Sequence, residues 1–435
     1  NQRAISDAIA ADFGCRSDAE TRLLEFYPSL EAIAYARRHV TEWMRLERRR
    51  TSLLFVPGRS EVRYQPLGVV GVIAPWNYPL YLAVGPLAAA LAAGNRAMVK
   101  LSEYSQEFGA LFARLVQERF PEDLLTVVTG DAAVAAEFAS LPFDHLLFTG
   151  STAVGRLVMA AAAKQLTPVT LELGGKCPVV IAPGQDMDYA ASRIVFAKLA
   201  NAGQTCVAPD YVLVARGEEG EFLAAARAAA DRFYASTDSP DYASIAHERH
   251  YWRLRDLLDD ARAQGARVEP LTASGNEGTR KMTPVAVLNV RDSMAIMRAE
   301  IFGPILPIVP YDGIDGAIAY INARPRPLAL YLFDRNRRRI EQTLAQTASG
   351  GVTINDCLMH IGQDDLPFGG VGASGMGRYH GPEGFKTFSQ IRPVFHQSRL
   401  GILPLLYPPY ARAITRALLR LMQFVKKGSG TSLRP

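Results

Sequence analysis

The sequence predicts an α/β protein built from two successive strand-and-helix series, and three observations carry that reading. Short apolar runs of strand length alternate with longer segments at helical spacing from Leu67 onward, which is the order of βαβ units around a parallel sheet. A glycine pair, Gly174-Gly175, closes the first series, and a second begins at Val179. The 435 residues, 49% hydrophobic and 21% charged, have the balance of a globular protein long enough for more than one core.

Taken in order, residues 19–50 have helical apolar spacing with a charged face, and residues 59–64 read as one arm of a strand pair. Residues 64–95 carry no charge, which on length alone suggests a membrane span. Pro66, Pro75, Pro79 and Pro86 would break such a helix repeatedly. The segment reads instead as a buried strand over 67–74, a turn over 75–79 and a small-residue helix starting near Gly85. Strands over 97–100, 125–128, 145–149 and 169–173 follow, with helices over 103–120 and 155–164. The second series runs strand 179–181, helix 189–202, strand 211–214 and helix 220–235. A glycine-rich stretch, 368–377, lies beyond it. The tail, 400–435, sets Arg412, Arg416 and Arg420 at helical spacing behind three prolines, a short basic amphipathic helix.

Composition excludes several classes. Cys15, Cys177, Cys206 and Cys357 are scattered without a CxxC pair or a Cys/His cluster, which argues against a disulfide scaffold and a structural zinc site and for a reducing setting. A net charge of +5 from 48 basic and 43 acidic residues, spread along the chain, does not imply nucleic acid. The sequence begins at Asn1 and gives no view of a targeting segment.

Six groups of residues are candidates for chemistry. Cys206, in Asn-Ala-Gly-Gln-Thr-Cys between a helix and a strand, sits where a loop presents a thiol and its own N–H; the alternative is an inert buried cysteine. Glu172 interrupts the apolar strand Val-Thr-Leu-Glu-Leu, where an acid must be paired, for instance with Lys176, or have a raised pKa suited to a general base. Asn77, in a turn between Pro75 and Pro79, offers an amide donor to an oxyanion, or makes an Asx turn. The stretch from Gly150 to Gly155 follows a strand and opens a helix, giving free N–H groups for a pyrophosphate. It is not a Walker A loop, because Arg156-Leu157 replaces the Lys and Ser/Thr. Gly370 to Gly375 spells GxGxxG but lacks the strand before and the helix after, so it reads as a functional loop of another kind. Lys100 and Glu103, past a strand end, can reach a ribose or form a solvated charge pair.

Together these segments resemble the aldehyde dehydrogenase superfamily from about residue 66 to 389. The motifs are PWNYP (75–79), KLSE (100–103), FTGSTAVG (148–155), LELGGK (171–176), GQTC (203–206), EIFGP (300–304) and PFGG (367–370), in the family's order. QTCVAPDY, PLALYLF (327–333) and GASGMGRYHG (372–381) are most similar to the class 3, fatty and coniferyl aldehyde branch. The resemblance implies a Rossmann-like cofactor domain over 1–174, with an oligomerisation strand pair near 52–66. It further implies an α/β catalytic domain over 175–372 and a return segment with an oligomerisation or amphipathic tail over 373–435. It makes Cys206 the nucleophile, Glu172 the base that activates water, and Asn77 with the Cys206 N–H the oxyanion hole. Lys100 and Glu103 would bind the adenosine ribose, Gly150, Ser151 and Gly155 would lie near the pyrophosphate, and Glu300 and Phe302 would position the nicotinamide end. Trp76 falls in the same cofactor set, and with Tyr78, Phe302 and Leu358 it is expected at the substrate entrance. Leu101 departs from the family's usual proline, and the N-terminal region is short.

The implied reaction is NAD-dependent oxidation of a medium-chain or aromatic aldehyde, of coniferyl type included, to the acid, with NADP as a second cofactor. No metal is implied. The implied protein is a cytoplasmic homodimer whose tail packs on a partner subunit or touches a membrane. A cofactor-independent thiol esterase or acyltransferase and a non-catalytic binding member are the competing readings. Intact Cys206, Glu172 and Asn77 weigh against the second of these.

Overall fold

The computed structural model describes residues 1–275 and 277–428. Strands β1 (Glu47–Arg49) and β2 (Arg59–Pro66) come first, followed by β3 (Val69–Ile73), β4 (Arg96–Lys100), β5 (Leu125–Val128), β6 (His145–Gly150) and β7 (Val169–Leu173). The second run is β8 (Pro178–Ile181), β9 (Tyr211–Ala215), β10 (Arg267–Pro270), β11 (Val285–Leu288), β12 (Ile305–Tyr311), β13 (Ala329–Phe333) and β14 (Gly351–Ile354). Two strands close the series, β15 (Gly375–Met376) and β16 (Ser389–His396). The chain forms two compact units, Asn1–Val40 with Pro66–Ser389, and Thr41–Gln65 with Gln390–Pro435.

The first unit holds two sheets. One runs β15-β7-β6-β3-β4-β5 and is parallel apart from β15; the other runs β10-β11-β12-β9-β8-β13-β14 and is parallel apart from β10. Near-continuous Val, Ile and Leu in β3, β6, β8 and β9 suit strands covered on both faces, and these strands are buried almost throughout. Beside the six-stranded sheet, Ile73, Leu146, Phe148, Leu171 and Leu173 pack with Phe138, Phe143 and Val158 from flanking segments. The α/β class and the parallel order thus follow from the alternation in the sequence. In the second unit β1, β2 and β16 make a three-stranded sheet.

Three boundaries differ from the sequence expectation. The helix expected near Gly85 begins at Tyr81 and runs to Ala92. Its first N–H groups are satisfied from a distant part of the chain, since the Glu25 carboxylate accepts from Leu80 N at 2.8 Å and Tyr81 N at 3.0 Å, a cap no local pattern announces. The single helix expected over 19–50 is a short turn, a π segment Arg22–Phe26 that buries Glu25, and a helix Tyr27–Trp43. Its last residues become β1 instead, pairing Glu47 with Val62 and Arg49 with Ser60. The strand pair expected near 52–66 is therefore β2 with Glu47–Arg49 as partner; hydrogen bonds between these two strands override the helical spacing there.

The basic tail forms the helix Ala413–Gly428, which contains Arg416 and Arg420; residues 429–435 of the expected tail lie outside the described residues. No helix among the described residues is long and apolar enough to cross a membrane. All four cysteines are free, and no group of three or more His, Cys, Asp or Glu among the described residues could hold a metal.

Candidate active site

Cys206 follows a tight turn, Ala200–Gly203, in which Asn201 and Ala202 adopt left-handed backbone angles (φ 52° and 51°). Non-glycine residues hold such angles only when their surroundings enforce them, and here a hydrogen-bonded lattice does so. The Asn201 amide donates to Asn77 O at 3.0 Å and Gln204 O at 3.2 Å. The Gln204 amide donates to Asn201 O and Ser244 O, and its oxygen accepts from Ala246 N. Gly203 (φ 77°) lies so close to the Gly303 carbonyl that any Cβ would collide with it.

The same lattice brings Asn77 to the cysteine loop. Asn77 Nδ2 donates to Gln204 O at 3.1 Å, two residues before Cys206. This is a tie across the fold and not the local Asx turn that its sequence position also allowed. Asn77 O accepts from Asn201 and from Arg16, whose guanidinium is paired with Glu25 at 2.8 Å, both side chains being fully buried. Tyr78, expected at the entrance, is instead buried, with its hydroxyl 2.6 Å from Thr205 Oγ1 and the Arg16 guanidinium over its ring. Its aromatic body packs under the loop and its one polar atom finds a partner there.

Cys206 itself is half-buried. Burial pushes its thiol up to about 12, with the Glu300 and Glu172 carboxyls adding to the rise, while its own N–H and that of Val207 favour the thiolate. The resting form is a thiol that needs a base. Glu172 is in β7, paired with Thr149 of β6 and Gly375 of β15. It is 3% exposed, and neither carboxyl oxygen has a hydrogen-bond partner. Burial raises its pKa well above the ordinary carboxylate range, and the Arg378 charge opposes that rise. The Lys176 pairing is overturned: its ammonium is taken by Asp210 and by the carbonyls of Ile296 and Ala299. A buried, unpaired carboxyl beside a thiol can take a proton from that thiol or from water.

The expected cofactor residues fall into two sets. Gly150 ends β6, and Ser151 caps the helix Thr152–Ala163, its hydroxyl accepting from Val154 N at 3.3 Å. Gly155 lies one turn further on, where a Cβ would come 2.7 Å from Leu173 Cδ2, so it lets the helix pack on β7. Lys100 is 1% exposed, donates to Gly130 O at 2.7 Å and lies 3.9 Å from Glu103. In the second set, Trp76 meets the Phe302 ring edge-on at 5.5 Å, with His247 and His250 also against its ring. His250 Nε2 donates to Phe302 O at 2.7 Å, holding Phe302 at φ 57°. Glu300 accepts from the Gly175 N–H, and burial, with Asp210 adding, pushes its carboxyl up to about 8. Glu300 Oε1 is buried without a partner. A free carboxyl oxygen at one end, and helix N-terminal N–H groups with Lys100 and Glu103 at the other, suit a dinucleotide with its ribose hydroxyls and diphosphate.

Gly370 and Gly375 of the GxGxxG stretch pack against Ser374 O and Leu171 O, leaving no room for a Cβ. The loop lies on β7. Leu358 is half-buried and donates its N–H to Tyr331, whose hydroxyl donates to Val207 O.

Several supporting residues carried no signal in the sequence. Arg16 and Glu25 lie far from the motifs, and Gln204 lies inside GQTC with no role assigned to it. Asp210 joins Lys176 to Ile301 N at 2.9 Å, and Arg253 donates to Glu300 O and Ile301 O. Tyr81 and Tyr379 are close enough to Cys206 for its charge to raise their hydroxyls.

Comparison with known proteins agrees with the motifs. A family model described as the aldehyde dehydrogenase family matches residues 3–394. A probable coniferyl aldehyde dehydrogenase of Pseudomonas aeruginosa is 51% identical over 421 residues, covering 97% of this chain and 88% of that protein. The substrate-bound structure of Staphylococcus aureus AldH superposes with a TM-score of 0.90 at 38% identity, covering 96% of this chain and 90% of that one. A Mycobacterium tuberculosis aldehyde dehydrogenase complexed with NAD+ superposes with a TM-score of 0.82 at 30% identity, covering 91% and 81% of the two chains.

Proposed function

This chain belongs to the aldehyde dehydrogenase family, and on that premise we propose how its residues divide the NAD(P)-dependent oxidation of an aldehyde to a carboxylic acid. What supports the division is one juxtaposition: a thiol flanked by a buried carboxyl without hydrogen-bond partners and by an amide tied to the thiol's own loop. The Cys206 thiol gives its proton to Glu172, directly or through water, and the sulfur bonds to the aldehyde carbon. The carbonyl oxygen becomes an oxyanion, and Asn77 Nδ2 with the Cys206 N–H stabilises it by a few kcal/mol, on the order seen for a fixed donor. A bound nicotinamide supplies the hydride acceptor. Once hydride has left, Cys206 carries a thioester. Glu172, having released the cysteine's proton to solvent, then takes a proton from water, whose oxygen bonds to the acyl carbon as the C–S bond breaks; that proton passes to the leaving sulfur, releasing the acid and restoring the thiol.

For the cofactor, Glu300 is assigned to the nicotinamide ribose, Phe302 and Trp76 to the ring's surroundings, and Lys100 with Glu103 to the adenosine ribose. Ser151 and Gly150 take the pyrophosphate, with Gly155 setting the helix against β7. Glu103 favours NAD, because a carboxylate repels a 2′-phosphate. The substrate class we infer is aromatic or medium-chain, coniferyl-type aldehydes included. The rings of Trp76 and Phe302, packed edge-on at the expected nicotinamide end, favour it, and so does the name of the Pseudomonas relative. The test is kcat/KM for coniferaldehyde, benzaldehyde, hexanal and glyceraldehyde with NAD and NADP. Coniferaldehyde or hexanal exceeding glyceraldehyde at least tenfold is expected, and a preference for glyceraldehyde would refute the substrate assignment.

A homodimer is part of the same reading, the basic helix Ala413–Gly428 packing on a second copy. Light scattering of a chain truncated after residue 399 should then report a monomer, and an unchanged dimer would refute the tail's part.

A further inference from the structure

Glu172 lacks any hydrogen bond to its carboxyl, yet general-base work requires an available carboxylate. The groups that face it come from three segments. The Cys206 thiol and the Tyr379 hydroxyl both feel its charge and, if ionised, repel it. Thr149, opposite on β6, is neutral, with its own hydroxyl buried and unpartnered. The remaining group, Arg378, is cationic and half-buried.

The approach of Arg378 is defined by a glycine. A Cβ on Gly369 would lie 2.9 Å from Glu172 Oε1 and 3.0 Å from Arg378 Cδ, so the two side chains meet across one missing methyl group. The guanidinium is not free to swing away, because Arg378 donates to Gly370 O at 2.9 Å and to Gly377 O at 2.6 Å. These carbonyls belong to the segment that places β15 against Glu172's strand. No carboxylate is paired with Arg378 by a salt bridge among the described residues. Its charge, held on two backbone carbonyls, acts on the buried Glu172 carboxyl and opposes the effect of burial there.

We propose that Arg378 is a positioning residue for the Glu172 base, its charge favouring the carboxylate against the apolar site while the loop around Gly369 keeps the two side chains apart. Separation matters, because a direct bidentate pair would occupy the oxygens that must reach water. Burial and the Arg378 charge act on the Glu172 pKa in opposite directions, so removal of the charge leaves burial unopposed and moves the carboxyl upward.

The inference rests on Glu172 being the hydrolytic base, and the experiment separates the two claims. The pH profile of kcat is measured under conditions where thioester hydrolysis limits turnover, for the parent, Arg378→Met, Arg378→Lys and Glu172→Gln. Arg378→Met should move the acid limb upward by about one pH unit, the scale for a charge at this range in a partly solvated site. This is a loss of about tenfold below the limb with little change above it. Arg378→Lys, which keeps the charge and gives up the paired carbonyl contacts, should restore the parent limb. Glu172→Gln should lose the limb altogether. If Glu172→Gln is slow and limb-free but Arg378→Met keeps the parent limb, the role of Arg378 is wrong. A limb equally displaced in Arg378→Met and Arg378→Lys makes the residue a structural tie for the loop and also overturns the proposal. If Glu172→Gln retains both rate and limb, it is the assignment of the base that fails.

Discussion

Replacing Glu25 by Gln tests how the turn that carries Asn77 is held. Glu25 is fully buried and accepts from Arg16 at 2.8 Å, Leu80 N at 2.8 Å and Tyr81 N at 3.0 Å. Glutamine keeps the shape and one oxygen for the helix N–H groups but leaves Arg16 as a buried cation short of its counter-ion. Breaking a buried pair from one side costs about 3–5 kcal/mol. Glu20 remains 3.9 Å from Arg16 Nε, so the lower end, about 3 kcal/mol, is expected. Arg16 also donates to Asn77 O at 3.1 Å. A loosened Arg16 therefore misaligns the Asn77 amide and should lower kcat/KM by about tenfold, part of the value of a fixed oxyanion donor. The assay is urea denaturation by circular dichroism alongside kcat/KM for one aldehyde. The double variant Arg16→Met/Glu25→Met removes both charges and should regain part of the stability, the N–H groups of Leu80 and Tyr81 being left without their acceptor, but not the activity, since Asn77 O loses its tie to Arg16. A single variant within 1 kcal/mol of the parent, a figure set by the scatter of surface substitutions, would refute the reasoning. A double variant as unstable as the single would do the same.

Two further outcomes are expected. With the Glu300 carboxyl pushed up to about 8 by burial and Asp210, NAD affinity should strengthen as pH rises from 7 to 9, on the order of tenfold, and flatten in Glu300→Gln. Because this folded-state value lies above the ordinary carboxyl value, the stability contributed by protonated Glu300 falls as pH climbs from that ordinary range through about 8. A pH-independent NAD affinity in the parent would count against Glu300 as a ribose ligand. Gly155→Ala sets a methyl 2.7 Å from Leu173 Cδ2 and should cost about 1–3 kcal/mol by overpacking. Adding Leu173→Ala should offset part of this in thermal melts, whereas a stable Gly155→Ala protein with weak NAD binding would make the glycine's role one of ligand approach.

Much of the fold was legible because period and punctuation agree. β3 through β7 are apolar runs separated by amphipathic or small-residue helices, and the parallel sheet follows from that alternation alone. Cys206, Glu172 and Asn77 were legible as chemistry because each breaks a local rule: a thiol on a glycine-flanked loop, an acid in an apolar strand, an amide between two prolines. What was hidden depends on partners distant in sequence. Glu25 caps a helix 55 residues away, so no local pattern could move that helix start from Gly85 to Tyr81. The strand Glu47–Arg49, three charged residues at the end of a segment with helical spacing, becomes a strand only because β2 lies beside it. Lys176 was the obvious partner of Glu172 by proximity, yet Asp210, 34 residues on, has it. Tyr78 looked like an entrance aromatic because a sequence does not say which way a turn residue points.

The most direct test of the account is a single turnover with excess NAD, followed by absorbance at 340 nm and intact-protein mass in the same quench, for the parent, Cys206→Ala and Glu172→Gln. Glu172→Gln is predicted to give NADH approaching one equivalent and an acyl adduct that maps to Cys206 and hydrolyses at least a hundredfold more slowly than in the parent, the scale of losing a general base. Cys206→Ala should give neither NADH nor adduct. An adduct on another residue, or NADH formed without Cys206, would contradict the thioacyl route through this cysteine.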